Sequence, residues 1–66
     1  MKLYRMITGP DDAQFCMRVS KLLNHGWELY GSPTLIVQEG SVIVGQAVVK
    51  EVFGEEFTDD TVLSEH

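Results

Sequence analysis

The stretch NHGWELYGSP, residues 24–33, decides how this 66-residue chain folds. Gly26 can adopt the left-handed backbone conformation that commonly ends a helix. Trp27 alternates with Leu29, which is the pattern of a core aromatic residue at the start of a strand. Gly31-Ser32-Pro33 then interrupts that strand in the way a β-bulge does. The stretch therefore predicts a helix stop, a core tryptophan and a strand bulge in succession.

An amphipathic helix is predicted immediately before this stretch, over residues 11–25, because apolar residues recur there at steps of three and four. Its apolar positions are Phe15, Cys16, Val19, Leu22 and Leu23. Three residues are candidates for the N-cap, namely Thr8, Gly9 and Asp11. Thr8 with Asp11 and Asp11 with Gln14 both have the spacing of a capping box, so the sequence does not choose among them.

The remaining segments predict three strands in an α+β fold. KLYRMIT, residues 2–8, precedes the helix, and two β-rich runs follow it, joined by the two-residue link Glu39-Gly40 that is typical of an antiparallel hairpin. The order strand-helix-strand-strand keeps the crossover right-handed if the last strand lies in the middle. We therefore predict one helix packed on a three-stranded antiparallel sheet of order 1-3-2.

The register of the hairpin can be predicted by counting outward from Glu39-Gly40. Without any irregularity Glu28 would face Glu51, and like charges directly opposed across a sheet are unfavourable. One extra residue at Gly31-Ser32-Pro33 would place Glu28 opposite Lys50 instead. A one-residue bulge is therefore predicted there.

This register gives the hairpin two apolar faces. The residues predicted to meet the helix are Trp27, Leu29, Ile36, Ile43, Ala47 and Val49. The residues predicted to lie on the open face are Tyr30, Leu35, Val37, Val42, Val44 and Val48. Each large apolar side chain that is never buried forgoes about 1.5–3 kcal/mol. We therefore expect a homo-oligomer in which the second set forms an inter-subunit interface or groove; the alternative cover is the C-terminal segment folding back.

The charge distribution divides the chain into a compact domain, residues 1–52, and an acidic C-terminal extension, residues 53–66. Residues 1–50 contain five basic and four acidic side chains, whereas residues 51–66 contain six acidic side chains and no lysine or arginine. Without clustered basic residues, nucleic acid and membrane are not expected partners. The chain has no apolar run of membrane-spanning length and no secretory signal, so a cytoplasmic location is expected.

Motifs that carry chemistry are not recognisable in the sequence, so no catalytic residue, cofactor or metal site is predicted. Cys16 and His25 lie about 13 Å apart along the predicted helix, too far for the histidine to activate the thiol, and Cys16 is expected to be buried. The favoured hypothesis is a non-catalytic, self-associating interaction or structural module. The second is a small-molecule binder or enzyme, its ligand unidentified, whose site forms between subunits near Tyr30, His25 and the TGPDD turn of residues 8–12.

The segments YRMITGPDD, HGWELYGSPTL and GQAVVKE, with the helix between the first two, resemble a small bacterial family known as domain of unknown function 1737. The resemblance covers residues 4–51, which leaves only the N-terminus and the acidic extension outside it. It implies the same compact strand-helix-hairpin unit. It implies no activity, and no functional residue can be transferred from it.

Overall fold

The computed structural model describes residues 1–63 and 66 of the chain. Its elements are the strand β1 (Lys2–Pro10), the helix α1 (Ala13–Asn24) and the strands β2 (Glu28–Gln38) and β3 (Ser41–Glu51). The strands form one antiparallel sheet in which β3 lies between β1 and β2. The predicted α+β fold with sheet order 1-3-2 is confirmed.

The helix begins later than predicted because the sheet holds the preceding residues extended. β1 continues to Pro10, and the N–H of Asp11 still donates to the carbonyl of Val42 at 3.1 Å. The N-cap is Asp12, whose carboxylate oxygen accepts the Phe15 N–H at 2.9 Å and so satisfies one of the free amide groups of the first turn. The three candidates that the sequence left open, Thr8, Gly9 and Asp11, are all wrong.

The helix ends as the sequence predicts. Gly26 has a φ of 93°, in the left-handed region, and its N–H donates to the Leu23 carbonyl at 3.3 Å. The N–H of Trp27 reaches back to the Leu22 carbonyl at 3.0 Å. These two bonds form a Schellman motif, and Leu22 packs against the core cluster that contains the tryptophan. The helix stop therefore also places Trp27, which is 2% exposed, in the core.

The core is small and lies between the helix and one face of the sheet. Its buried members are Leu3, Ile7, Trp27 and Val48. The helix packs against them with Phe15, Val19 and Leu22, all partly buried. Cys16 is exposed, so the prediction that it is buried is wrong. A helix turns by about 100° per residue, and the stripe is narrow enough that the neighbour of Phe15 already points to solvent.

The hairpin turn has the predicted two-residue length and requires an unusual backbone. Glu39 has a φ of 50° and Gly40 a φ of 79°, so both central residues are left-handed, as in a type I′ turn. Glycine adopts this conformation without strain, whereas a glutamate with its Cβ does not. The backbone of Glu39 is therefore strained, which lowers the stability of the turn.

Replacing Glu39 by asparagine is expected to stabilise the domain by about 0.5–1 kcal/mol, because asparagine tolerates the left-handed conformation. The midpoint of urea unfolding should rise. Glu39→Gln is the matched control, since it removes the same charge without the backbone preference of asparagine. An equal rise in both variants would show that charge, and not backbone strain, is responsible.

The irregularity in β2 lies where the sequence predicts it but is larger. Between Tyr30 and Thr34, three residues of β2 lie opposite the single β3 residue Gln46, so two residues are extra where one was predicted. Glu28 consequently pairs with Val49 and not with the following lysine. The predicted register at this end of the hairpin is therefore wrong.

The side chain of Gln46 compensates for this irregularity. It is buried, and its amide nitrogen lies 3.4 Å from the carbonyl oxygens of both Tyr30 and Gly31 and 2.9 Å from that of Ala47. The amide thus donates to main-chain carbonyl groups beside the irregularity. Carbonyl groups away from water need such partners, which explains a buried glutamine in the middle of a largely apolar strand.

The predicted assignment of β3 to the two faces of the sheet is inverted. Val48 is fully buried in the core, so Val42 and Val44 share its side of the strand by alternation. Pairing opposite Val44 and Val42 puts Leu35 and Val37 on the same, helix side. Ile36, Ile43, Ala47 and Val49 lie on the opposite side, although the sequence assigned them to the helix.

The segment after β3 folds back on the helix side of the sheet. Leu63 packs against the core cluster, and the Lys50 ammonium donates to the main-chain oxygen of His66. Phe53 and Phe57 remain exposed. The described part of this extension therefore leaves the opposite face of the sheet bare.

Candidate functional site

One face of the sheet has no cover from any described residue; we call it the uncovered face. Its apolar members are Tyr4, Met6, Tyr30, Ile36, Ile43, Ala47 and Val49. Four of the larger side chains are 51–59% exposed, namely Tyr4, Met6, Tyr30 and Ile36. An apolar face this open on a small domain is typical of a contact surface.

The centre of the uncovered face is flat because β3 carries a glycine there. A Cβ on Gly45 would lie 2.9 Å from the Thr34 hydroxyl, 3.5 Å from the Thr8 methyl group and 3.6 Å from the Met6 sulfur. Side chains from both edge strands thus occupy the space beside Gly45 that a larger residue would need. The strand pairing places the charged residues of this face at one end, and they are Lys2, Glu28 and Glu51.

The six residues predicted to form an interface do not share a surface. Tyr30 lies on the uncovered face, next to the β2 irregularity. Leu35 and Val37 lie on the helix side of β2 and are 60% and 70% exposed, because the helix does not reach that far. Val42 and Val44 are partly buried on the same side. Val48 is in the core and is inaccessible to a partner.

The edge strand β2 is exposed along its whole length. Among residues 1–63 and 66 it pairs only with β3, so none of them covers its outer edge, and it presents apolar side chains to both sides of the sheet. The irregular segment between Tyr30 and Thr34, which includes Pro33, interrupts this edge in its middle. Such interruptions hinder edge-to-edge pairing with another chain.

A second feature, which we call the basic cavity, lies on the helix side between α1, β1 and the end of the chain. It has a volume of about 410 Å³. Its apolar wall consists of Ile7, Leu22 and Trp27, and its basic wall consists of Arg5, Arg18 and Lys21. The imidazole rings of His25 and His66 complete the lining.

Local contacts orient the polar groups of the basic cavity. The Arg5 guanidinium lies 5.8 Å from the centre of the Trp27 ring, within the range of a cation–π contact. Arg18 donates to the Thr8 carbonyl at 3.2 Å. The Nδ1 of His25 lies 2.7 Å from the Lys21 carbonyl. Because a carbonyl only accepts, this Nδ1 carries the hydrogen, which leaves Nε2 for other contacts.

The indole N–H of Trp27 is buried and has no acceptor among the described atoms. The adjacent Arg5 cannot supply one, because a guanidinium only donates hydrogen bonds. A buried donor without a partner costs about 1–3 kcal/mol. Trp27 therefore contributes to the core through its apolar area despite this cost.

Sequence reasoning placed His25 among the candidate residues but missed the basic cavity. The apolar stripe predicted for the helix did not include Arg18 or Lys21, and Arg5 was not singled out. A signal was present: Arg18, Lys21 and His25 are spaced by three and four residues, which puts them on one helix face. Arg5 alternates with Leu3 and Ile7 and so shares the helix side of β1.

Catalytic and metal-binding groups do not come together in the part of the chain that the structure describes. Within residues 1–63 and 66, no three His, Cys, Asp or Glu side chains are arranged to hold a metal ion. The only cysteine, Cys16, is exposed on the helix. No helix among these residues is both long and apolar enough to cross a membrane.

Comparison with known proteins gives a family but no activity. No curated protein and no solved structure matches the chain. A family model described as Domain of unknown function (DUF1737) matches residues 1–51, which include the whole sheet and the helix. Since this match covers most of the chain and agrees with the resemblance carried by its sequence motifs, the chain belongs to the DUF1737 family.

Proposed function

We propose that this domain is a self-associating interaction module and that its contact surface is the uncovered face. The observation that carries the proposal is an apolar sheet face left bare by the helix and by the described part of the C-terminal extension. The extension was the alternative cover, and Leu63 packs on the other side of the sheet. A second copy of the chain is a partner that is present in every solution of the protein.

The dimensions of the uncovered face fit this proposal. Three strands about 4.8 Å apart, with about nine residues each at about 3.3 Å, give a surface of roughly 400 Å². The largest apolar patch on a typical monomer measures about 300–600 Å² and often has a function, so the uncovered face has the size of a contact surface. The face also carries charges of both signs at one end, in Lys2, Glu28 and Glu51, so a second copy does not meet a surface of uniform charge.

Association also compensates for the small core. A domain of this length buries only about 60% of the surface that its unfolded chain exposes. Burying half-exposed tyrosine and isoleucine side chains between two copies adds apolar burial that a single copy lacks. The exposed apolar face and the short chain therefore both favour self-association.

The alternative, a small-molecule or catalytic site formed between subunits, gains no support from the residues that suggested it. Tyr30 lies on the uncovered face, whereas His25 lies beside α1 on the other side of the sheet. Within one protomer the two side chains do not converge. Self-association is the function that the geometry supports best.

Replacing Ile36 by lysine tests the proposal. Ile36 is 56% exposed on the uncovered face, and a lysine there would carry a charge into the contact between copies. The dissociation constant of the assembly is expected to rise at least about 100-fold, the scale of a central interface residue. Native mass spectrometry over a dilution series measures this change directly.

Val37→Lys is the matched control, because Val37 is the next residue, is 70% exposed and points to the other side of β2. It is expected to leave the assembly unchanged. Equal weakening by both substitutions would contradict a face contact and indicate pairing through the β2 edge. An unchanged assembly in Ile36→Lys would overturn the proposal.

A further inference from the structure

We propose that the basic cavity binds a small organic anion. The oxyanion group of the ligand lies against Arg5, Arg18 and Lys21, and its apolar body lies against Ile7, Leu22 and Trp27. This inference is independent of self-association, because the basic cavity and the uncovered face are on opposite sides of the sheet.

The first argument is the concentration of positive charge in an acidic protein. The chain has a formal net charge of −5 and only five lysine and arginine residues, and three of the five line this one cavity. None of the described lining residues is an aspartate or a glutamate. Like charges gathered in a cleft raise the local concentration of counter-ions and favour binding of an anion there.

The second argument is that these cations have no carboxylate partner in the described part of the chain. The carboxylates that lie beside basic groups there are Glu51, next to the N-terminal amine, and Glu55, 3.6 Å from the His66 imidazole, and neither is paired with the arginines or the lysine of the cavity. Solvated basic side chains on a helix face are common. Here, however, residues from a helix and from a strand converge on one concavity, which a solvated helix face alone does not explain.

The third argument is the shape and chemistry of the walls. Trp27 and Ile7 are 2% and 3% exposed, so two of the three residues of the apolar wall belong to the core. The volume of about 410 Å³ lies within the range of small-molecule sites and exceeds what an inorganic anion fills. A guanidinium binds phosphate or carboxylate through two parallel hydrogen bonds, so both kinds of oxyanion suit this wall.

Fluorescence of the full chain tests the proposal, because Trp27 is its only tryptophan and lines the cavity. The probes are phenyl phosphate, benzoate and, as the neutral comparator, benzyl alcohol. We expect saturable binding of at least one anion with a dissociation constant below about 1 mM, and binding of the alcohol at least about tenfold weaker. Preference for phenyl phosphate would assign the ligand to phosphate esters, and preference for benzoate to carboxylic acids.

Substitutions inside and outside the basic cavity test whether the anion binds there. Arg18→Gln and Lys21→Gln each remove one positive charge from the cavity, and each is expected to weaken anion binding about tenfold. Lys2→Gln removes the same charge from the uncovered face and is expected to have no effect. Far-UV circular dichroism verifies that each variant is folded, and two cavity variants ensure that one misfolded protein does not leave the question open.

Three results would overturn the proposal. The first is the absence of saturable anion binding up to about 10 mM, a concentration at which even weak specific sites fill. The second is equal binding of benzyl alcohol and the anions. The third is an equal loss in Lys2→Gln and the cavity variants, which would show a response to net charge alone.

Discussion

Val48→Lys is expected to prevent folding, whereas Val49→Lys, one position along the same strand, is expected to leave the fold intact. Val48 is fully buried among Leu3, Ile7 and Trp27. A lysine there would bury an unpaired charge at a cost of several kcal/mol. The total stability of a domain this size is about 3–10 kcal/mol, so one such cost can remove most of it.

Val49 provides the control because it is a valine in the same central strand and faces the other side of the sheet. Far-UV circular dichroism and thermal unfolding measure both variants. Val49→Lys should retain a cooperative transition and lose association. A cooperative transition in Val48→Lys, or loss of structure in both variants, would contradict the assignment of the two faces of β3.

Trp27→Ala is expected to destabilise the domain by about 3–5 kcal/mol, the usual cost of truncating a buried aromatic side chain. The tryptophan packs against the last turn of the helix and against the sheet, so its loss opens a cavity where the helix and the hairpin meet. Urea unfolding followed by circular dichroism measures the change without relying on the fluorescence of the missing residue.

Tyr30→Ala is the matched control, since Tyr30 lies three residues further along and is 59% exposed. At concentrations where the protein is monomeric it should cost less than about 1 kcal/mol, as surface substitutions usually do. A loss as large as that of Trp27→Ala would mean that Tyr30 is part of the monomer core. A small loss for Trp27→Ala would contradict its central place in the packing.

The features that could be predicted from the sequence are those that depend on a few adjacent residues. Gly26 ends the helix, Glu39-Gly40 makes the hairpin turn, and the interruption after Tyr30 lies where glycine and proline indicate it. Each of these follows from the backbone conformations that a residue tolerates, and tertiary contacts do not have to be known.

The two faces of β3 could not be predicted because the strand is apolar on both sides. Its two faces were assigned by counting outward from Glu39-Gly40 through the irregularity in β2. Trp27 and Leu29 were placed on the correct side of the sheet. Because β2 contains two extra residues where one was predicted, however, the β3 residues opposite them differ by one position from the prediction. A change of one residue in register exchanges every side chain between the faces.

The basic cavity depends on the tertiary fold for a different reason. Arg5 comes from β1 and Arg18 and Lys21 come from α1, and each residue alone is typical of a solvent-facing position. Only the packing of the helix on its own preceding strand brings the three together. The same packing determines which face of the sheet stays bare.

Sedimentation equilibrium of the unmodified chain over a range of concentrations measures whether the uncovered face binds a second copy. We expect a mass of at least twice the 7.4 kDa of one chain at the higher concentrations, falling on dilution. A mass of one chain at every concentration would contradict it.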